Sequence, residues 1–158
     1  MLHFAYGSNM HRALMRQHAP GAKPLGVAQL ADHRFVITAD GYASVAPSRG
    51  ETVHGMLWRL TPRDRVTLDL WENIAGGLYA AAMLPVRFDG GRRAALVYVA
   101  RPRPDGVAKS GYMEIVVAAA KELELPAAYI ASLEQWLPAR PAGAGHRKLA
   151  GFDPENAA

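Results

Sequence analysis

Residues 4–10 place small and polar side chains where a backbone turn can bind an anion. The apolar residues up to Tyr6 predict a buried strand, and Gly7 permits close approaches that a Cβ would forbid. Ser8 and Asn9 are good N-caps for a helix that would begin at Met10. Because the first N–H groups of a helix lack partners within it, such a turn suits a carboxylate or an oxyanion. The same pattern also describes an ordinary connection between a strand and a helix.

Glu72 is a second candidate functional residue, because its position in the sequence suits a general acid/base. Thr61, Pro62 and Asp64 predict the start of a helix that ends near Asn73, so Glu72 falls in its last turn. There the negative end of the helix dipole disfavours a carboxylate and raises its proton affinity, the direction that a general acid/base needs. The alternative is an exposed glutamate at a helix end.

The sequence lacks the motifs of the common metal, nucleotide and nucleophilic-serine sites. The chain has no cysteine, and its six histidines form no HExxH motif; His11 and His18 lie seven residues apart, too far to chelate one ion by themselves. Neither a GxGxxG nor a GxxxxGK[ST] motif is present. Ser8 lacks the second glycine of a GxSxG elbow, so a binding serine is the better interpretation. We expect no metal and no cofactor.

Length and composition limit the classes of protein to which this chain can belong. The 158 residues suffice for one domain, which we place at residues 1–140, followed by a loosely ordered tail at 141–158. The net charge of +4 comes from scattered basic residues, so the pI of about 9.6 is the only feature that favours nucleic-acid binding, and we expect none. No apolar run approaches the roughly 20 residues of a membrane span. We expect a cytoplasmic protein, monomeric or homodimeric, without membrane or nucleic-acid partners.

The sequence predicts a succession of strands separated by short gaps. Such a succession favours antiparallel or mixed pairing over parallel crossovers. Asp89 and Gly90 signal a hairpin between the last two strands. The predicted strands cover residues 3–6, 25–30, 34–38, 42–46, 53–60, 78–88 and 93–100.

Helices are predicted around these strands. Beside those starting at Met10 and Thr61, a helix covers residues 112–123 and another starts near Pro126. The first of these carries Ile115, Val116 and Ala119 at helical spacing, most simply as core. We also interpret the tryptophans Trp58, Trp71 and Trp136 as core.

Residues 4–10 resemble the YGSN signature of the γ-glutamylcyclotransferase-like family, which includes γ-glutamylamine cyclotransferases and AIG2-like proteins. The resemblance extends over about residues 2–137. Further matching segments occur in the family's order and approximate spacing at 42–47, 53–60, 68–72, 77–79, 110–112 and 125–129.

The resemblance implies a fold and a set of site residues. The fold would be α+β, with a mixed, largely antiparallel sheet of about six strands curled into a small barrel and flanked by helices. Glu72 would be the catalytic acid/base, and Asn9 would close the signature turn. The other residues expected to bind substrate are Tyr6, Gly7, Ser8, Tyr79, Tyr98 and Tyr112.

The implied reaction converts a γ-glutamyl amide or dipeptide to 5-oxoproline and a free amine or amino acid, without a cofactor. The partner would be a small γ-glutamyl substrate. The alternative is a non-catalytic AIG2-like module that binds a small metabolite in the same pocket. Three departures bear on this choice: Asn73 stands where many catalytic members have Gly, Met10 where Leu is also common, and His3 where some members carry an aromatic residue.

Overall fold

The computed structural model describes residues 1–101 and 106–139. Five strands form a closed barrel: β1 (Leu2–Ala5), β2 (Lys23–Ile37), β3 (Ala43–Arg59), β4 (Tyr79–Phe88) and β5 (Gly91–Ala100). The predicted tail at 141–158 lies outside the described residues.

The barrel order is β1-β3-β2-β4-β5, and β5 closes the barrel against β1. Neighbouring strands pair antiparallel except β1 and β5, which run parallel with His3 opposite Leu96. The α+β, largely antiparallel barrel implied by the family resemblance is therefore confirmed. The Asp89–Gly90 hairpin joins β4 to β5, with Phe88 opposite Gly91.

The seven strands predicted along the chain form five in the described residues, against the six or so implied by the resemblance, because two predicted pairs of strands are continuous. A register shift between Ala31 and His33 lets β2 pass Asp32, which adopts φ 56. Such bulges bend a strand without ending it. In β3, Pro47 remains within the strand opposite His33. The gaps that separate predicted strands in the sequence are thus bends in long strands.

Within residues 1–101 and 106–139, four α-helices accompany the barrel: α1 (Arg12–His18), α2 (Pro62–Trp71), α3 (Tyr112–Glu122) and α4 (Ala127–Glu134). Thr61 and Asp64 form a reciprocal capping box at the start of α2, as the sequence predicts. In the described part of the chain, no helix is long and apolar enough to cross a membrane.

The start of the first helix differs from the prediction. Residues Ser8–Met10 form a short 3₁₀ turn, and α1 begins two residues later with His11 at its N-cap. Neither Ser8 nor Asn9 caps a helix, because both side chains are used in the cavity described below.

The core lies inside the barrel and beneath the helices. Phe4, Leu57 and Trp58 of β1 and β3 are buried there, together with Val116 and Ala119 of α3. Of the predicted core residues, Trp136 is partly buried and packs against the core. Two others are exposed: Trp71 is 61% exposed and Ile115 is 37% exposed. Both lie beside a cavity rather than in the core.

Candidate active site

A cavity of about 420 Å³ lies where the end of β1, the 3₁₀ turn and the last turn of α2 meet. All the site residues predicted from the sequence line this one cavity: Tyr6, Gly7, Ser8, Asn9, Glu72, Tyr79, Tyr98 and Tyr112. The structure therefore brings together residues that are more than 100 positions apart in the chain.

Glu72 sits at the C-cap of α2, held by a Schellman motif. The N–H of Ile74 donates to the carbonyl of Asp69, and that of Asn73 to the carbonyl of Leu70, each at 3.1 Å. Asn73 adopts φ 49, a left-handed conformation that asparagine tolerates almost as glycine does. Asn73 is therefore compatible with the turn that aims Glu72, although the sequence marked it as a departure.

The carboxyl group of Glu72 is half-buried, and burial raises its pKa from 4.5 to about 7. Desolvation disfavours the charged form, which is the physical cause of this shift. The group is consequently poised to gain or lose a proton near neutral pH, as an acid/base requires.

Asn9 connects Glu72 to a histidine that sequence reasoning considered only as a metal ligand. The Asn9 Nδ2 donates to Oε1 of Glu72 at 3.3 Å, and its Oδ1 lies 3.0 Å from Nδ1 of His18. Since an amide oxygen only accepts, Nδ1 of His18 carries the proton in this arrangement. The His18 ring also stacks on Trp71, with centroids 3.8 Å apart.

Gly7 and Tyr112 are in close contact. A Cβ on Gly7 would lie 2.7 Å from the Tyr112 hydroxyl oxygen, so only glycine fits at this position without movement. The same oxygen accepts hydrogen bonds from the backbone N–H of Ala43, at 3.3 Å, and from Ser8. With its oxygen occupied as an acceptor, Tyr112 can direct its own proton into the cavity.

Three of the other four cavity tyrosines use their hydroxyl protons within the protein. Tyr6 donates to the carbonyl of Tyr98 at 2.5 Å, and Tyr79 to the carbonyl of Ala43 at 2.7 Å. Tyr98 donates to Oδ1 of Asp69 at 2.7 Å. Their rings line the cavity and remain for contact with a ligand.

His3 is a further cavity residue, only 2% exposed. Its Nδ1 lies 3.0 Å from the carbonyl of Leu96, which makes Nδ1 the donor and leaves Nε2 buried without a partner in the described structure. Burial lowers its pKa to about 4, so the ring is neutral at physiological pH.

Sequence reasoning missed several residues of the cavity wall. They share no single motif, and they reach the cavity from five separate segments of the chain. They are Leu14, Gln17, His18, Tyr42, Trp71, Leu78 and Ile115. Across the described residues, no cluster of three histidine or acidic side chains could hold a metal ion.

Comparison with known sequences decides the family. The sequence profile described as the AIG2-like family matches residues 52–133, just over half of the chain. The chain belongs to the AIG2-like family. This AIG2-like protein is similar to the γ-glutamylcyclotransferase of Bos taurus, with 27% identity over 139 residues, which cover 81% of this chain and 74% of the relative. The Homo sapiens γ-glutamylcyclotransferase is 26% identical over the same coverage.

A solved structure agrees on the fold of this AIG2-like protein. A γ-glutamyl cyclotransferase superimposes with a TM-score of 0.82 at 24% identity, covering 93% of this chain and 94% of that one. At that identity the likeness supports the barrel and its helices.

Proposed function

We propose that this AIG2-like protein is a γ-glutamyl cyclotransferase that converts a γ-glutamyl amide or dipeptide to 5-oxoproline and a free amine or amino acid. The observation that carries the proposal is the contact between Glu72 and Asn9, which joins a carboxyl group of pKa about 7 to the signature turn inside one cavity. Similarity to γ-glutamylcyclotransferases supports the same reaction class.

Substrate positioning carries much of the proposed catalysis. The substrate's own α-amine attacks its γ-carbonyl, so no protein nucleophile is needed, and the chain contains no cysteine. Binding holds the γ-glutamyl chain in a folded, near-attack geometry. This lowers the activation barrier, because the entropy cost of leaving extended conformations is met on binding. A cavity of about 420 Å³ is within the usual range for small-molecule sites.

Glu72 performs the proton transfers in this scheme. Its carboxylate takes a proton from the α-ammonium group, which frees the nitrogen lone pair for attack on the γ-carbon. As the amide C–N bond breaks, the carboxyl returns a proton to the leaving nitrogen. The second proton that the attacking nitrogen loses passes through the same carboxylate to the released amine or to solvent.

The signature turn and Tyr112 supply hydrogen-bond donors. Negative charge resides on the substrate α-carboxylate and develops on the carbonyl oxygen during attack. Backbone N–H groups of Gly7 and Asn9 and the Tyr112 hydroxyl stabilise these charges. Burial raises the pKa of Tyr112, which keeps the phenol protonated and able to donate.

Mass-spectrometric detection of 5-oxoproline tests the reaction. The purified protein is incubated with a panel of γ-glutamyl amides, beside Glu72→Gln and a matched control, Glu122→Gln. Glu122 is an exposed carboxylate at the end of α3, outside the cavity. We expect release by the wild type and Glu122→Gln, and none by Glu72→Gln.

Two other outcomes would contradict parts of the proposal. A folded Glu72→Gln protein with full activity would exclude Glu72 as the acid/base. Saturable binding of γ-glutamyl compounds without turnover of any would instead support the metabolite-binding module.

A further inference from the structure

Trp71 occupies an unusual position for a tryptophan. It is the last residue of α2, precedes Glu72 directly and is 61% exposed while lining the cavity. Its indole is stacked at 28° on the imidazole of His18, which fixes the ring from one side. An exposed indole leaves a large apolar surface in water, and covering it is favourable.

The cavity that Trp71 lines has further apolar side chains in its wall. Leu14 of α1 and Ile115 of α3 line the same cavity, and Ile115 is 37% exposed. Across residues 1–101 and 106–139, no lysine or arginine lines it. The ammonium of Lys109 lies 5.0 Å from the centre of the Tyr42 ring, a cavity residue, but Lys109 itself is not part of the wall.

Glu72 determines which part of the substrate meets Trp71. A general acid must come within about 3 Å of the leaving nitrogen. In the proposed reaction the γ-glutamyl half occupies the signature turn, which contacts Glu72 through Asn9. The substituent on the leaving nitrogen then extends from Glu72 toward the cavity residues outside that turn. Trp71 is adjacent to Glu72 in the chain and reaches the same cavity.

We propose that Trp71, supported by His18, forms the subsite for the leaving amine, and that this subsite prefers an aromatic or branched apolar amine over one that carries a carboxylate. The inference rests on the proposed cyclotransferase activity. An aromatic substituent would cover the exposed indole face, whereas a carboxylate there would lose hydration without a cationic partner.

Three substrates that differ only in the leaving amine test the subsite: γ-glutamylbenzylamide, γ-glutamylethylamide and γ-glutamylglycine. We expect the wild type to favour the benzylamide over the ethylamide by about tenfold in kcat/KM, and both over γ-glutamylglycine. Trp71→Ala should lower kcat/KM for the benzylamide about tenfold and for the ethylamide less than about twofold. Trp71→Phe should restore most of the preference.

Leu70→Ala is the matched control. Leu70 precedes Trp71 on α2 and is 75% exposed, but it does not line the cavity. This variant should leave all three rates unchanged.

The outcomes separate the subsite from the reaction. Release of 5-oxoproline without discrimination among the substrates, or an equal loss for all three in Trp71→Ala, overturns the subsite alone. A preference for γ-glutamylglycine also overturns it. Absence of 5-oxoproline from every substrate overturns the cyclotransferase proposal and the subsite with it.

Discussion

Asn9 donates a hydrogen bond from Nδ2 to Oε1 of Glu72 across 3.3 Å, although 63 positions separate the two residues in the chain. The orientation of the Asn9 amide is set at Glu72, because a flipped amide would place its oxygen against the carboxyl oxygen Oε1. The Asn9 oxygen then faces Nδ1 of His18, which carries the proton. His18 thus acts on Glu72 through Asn9, which makes it a positioning residue in the proposed reaction.

Replacing His18 should therefore weaken turnover more than substrate binding. We expect His18→Ala to lower kcat about 3- to 10-fold, the effect of one net hydrogen bond, with a smaller change in KM. The assay uses γ-glutamylethylamide, whose small leaving group limits any contribution from Trp71. His18→Gln keeps an N–H donor and should recover part of the rate.

His33→Ala serves as the control for this substitution, because His33 lies in β2 outside the cavity. Equal kcat for His18→Ala and His33→Ala would show that Asn9 does not depend on His18.

The pH dependence of activity should report the burial of Glu72. Because its pKa is raised to about 7, the carboxylate that accepts the first proton is lost as the pH falls below that value. We expect kcat/KM to decrease about tenfold per pH unit below pH 7. Steady-state rates measured between pH 5 and 8 check this. A profile of kcat/KM against pH that stays flat down to pH 5, as for a carboxyl with a pKa near 4.5, would be inconsistent with a desolvated Glu72.

The same pKa shift predicts a pH-dependent stability difference for Glu72→Gln. The folded state binds the Glu72 proton more tightly than the unfolded state, so this contribution to stability is complete below pH 4.5 and is lost as the pH rises through about 7. Glutamine carries no charge at any pH. Between pH 4.5 and pH 8, we expect the free energy of unfolding of the variant to rise by about 1–3 kcal/mol relative to that of the wild type. Urea unfolding at several pH values measures it, and a constant difference would contradict the shift.

Gly7→Ala should be destabilising mainly through a clash with Tyr112. The added Cβ would lie 2.7 Å from the Tyr112 hydroxyl oxygen and 3.3 Å from the Ala43 Cβ. We expect a loss of about 1–3 kcal/mol in the free energy of unfolding. Tyr112→Phe removes the hydroxyl, so the loss should be smaller in that background, as a double-mutant cycle would measure. Equal losses in both backgrounds would place the clash elsewhere.

Asn73 tests the turn that follows Glu72. At φ 49, alanine should cost about 1 kcal/mol in the free energy of unfolding, whereas glycine should be tolerated. We therefore expect Asn73→Gly to retain both thermal stability and the rate of 5-oxoproline release. A strongly impaired Asn73→Gly protein would assign the asparagine side chain, which accepts from the N–H of Gly76, a larger role than the backbone conformation.

Local features of the fold were predictable where short-range chemistry decides them. The capping box at Thr61 and Asp64 and the hairpin turn at Asp89 and Gly90 each depend on adjacent residues. The bulge at Asp32 was not predictable, because the same polar residue in the sequence also suits a turn that ends a strand.

The candidate site also has residues that the sequence predicted and residues that it did not. Its predicted members were found through motifs of the family, and they do converge on one cavity. The contact of His18 with Asn9 and the exposure of Trp71 depend on how α1 meets α2, which no local pattern encodes. An aromatic residue at helical spacing favours a core assignment, so Trp71 was placed in the core when it belongs to a cavity wall.

The parallel pairing of β1 with β5 has a consequence for synthesis. The signature turn follows the first strand directly, but that strand lies between β3 and β5, and His3 meets Leu96 only after about a hundred residues have been made. During translation, the edge of β1 that pairs with β5 therefore remains unpaired until β5 has emerged from the ribosome. A nascent chain stalled before β5 would hold both Asn9 and Glu72, with β1 paired to β3 alone and the barrel still open.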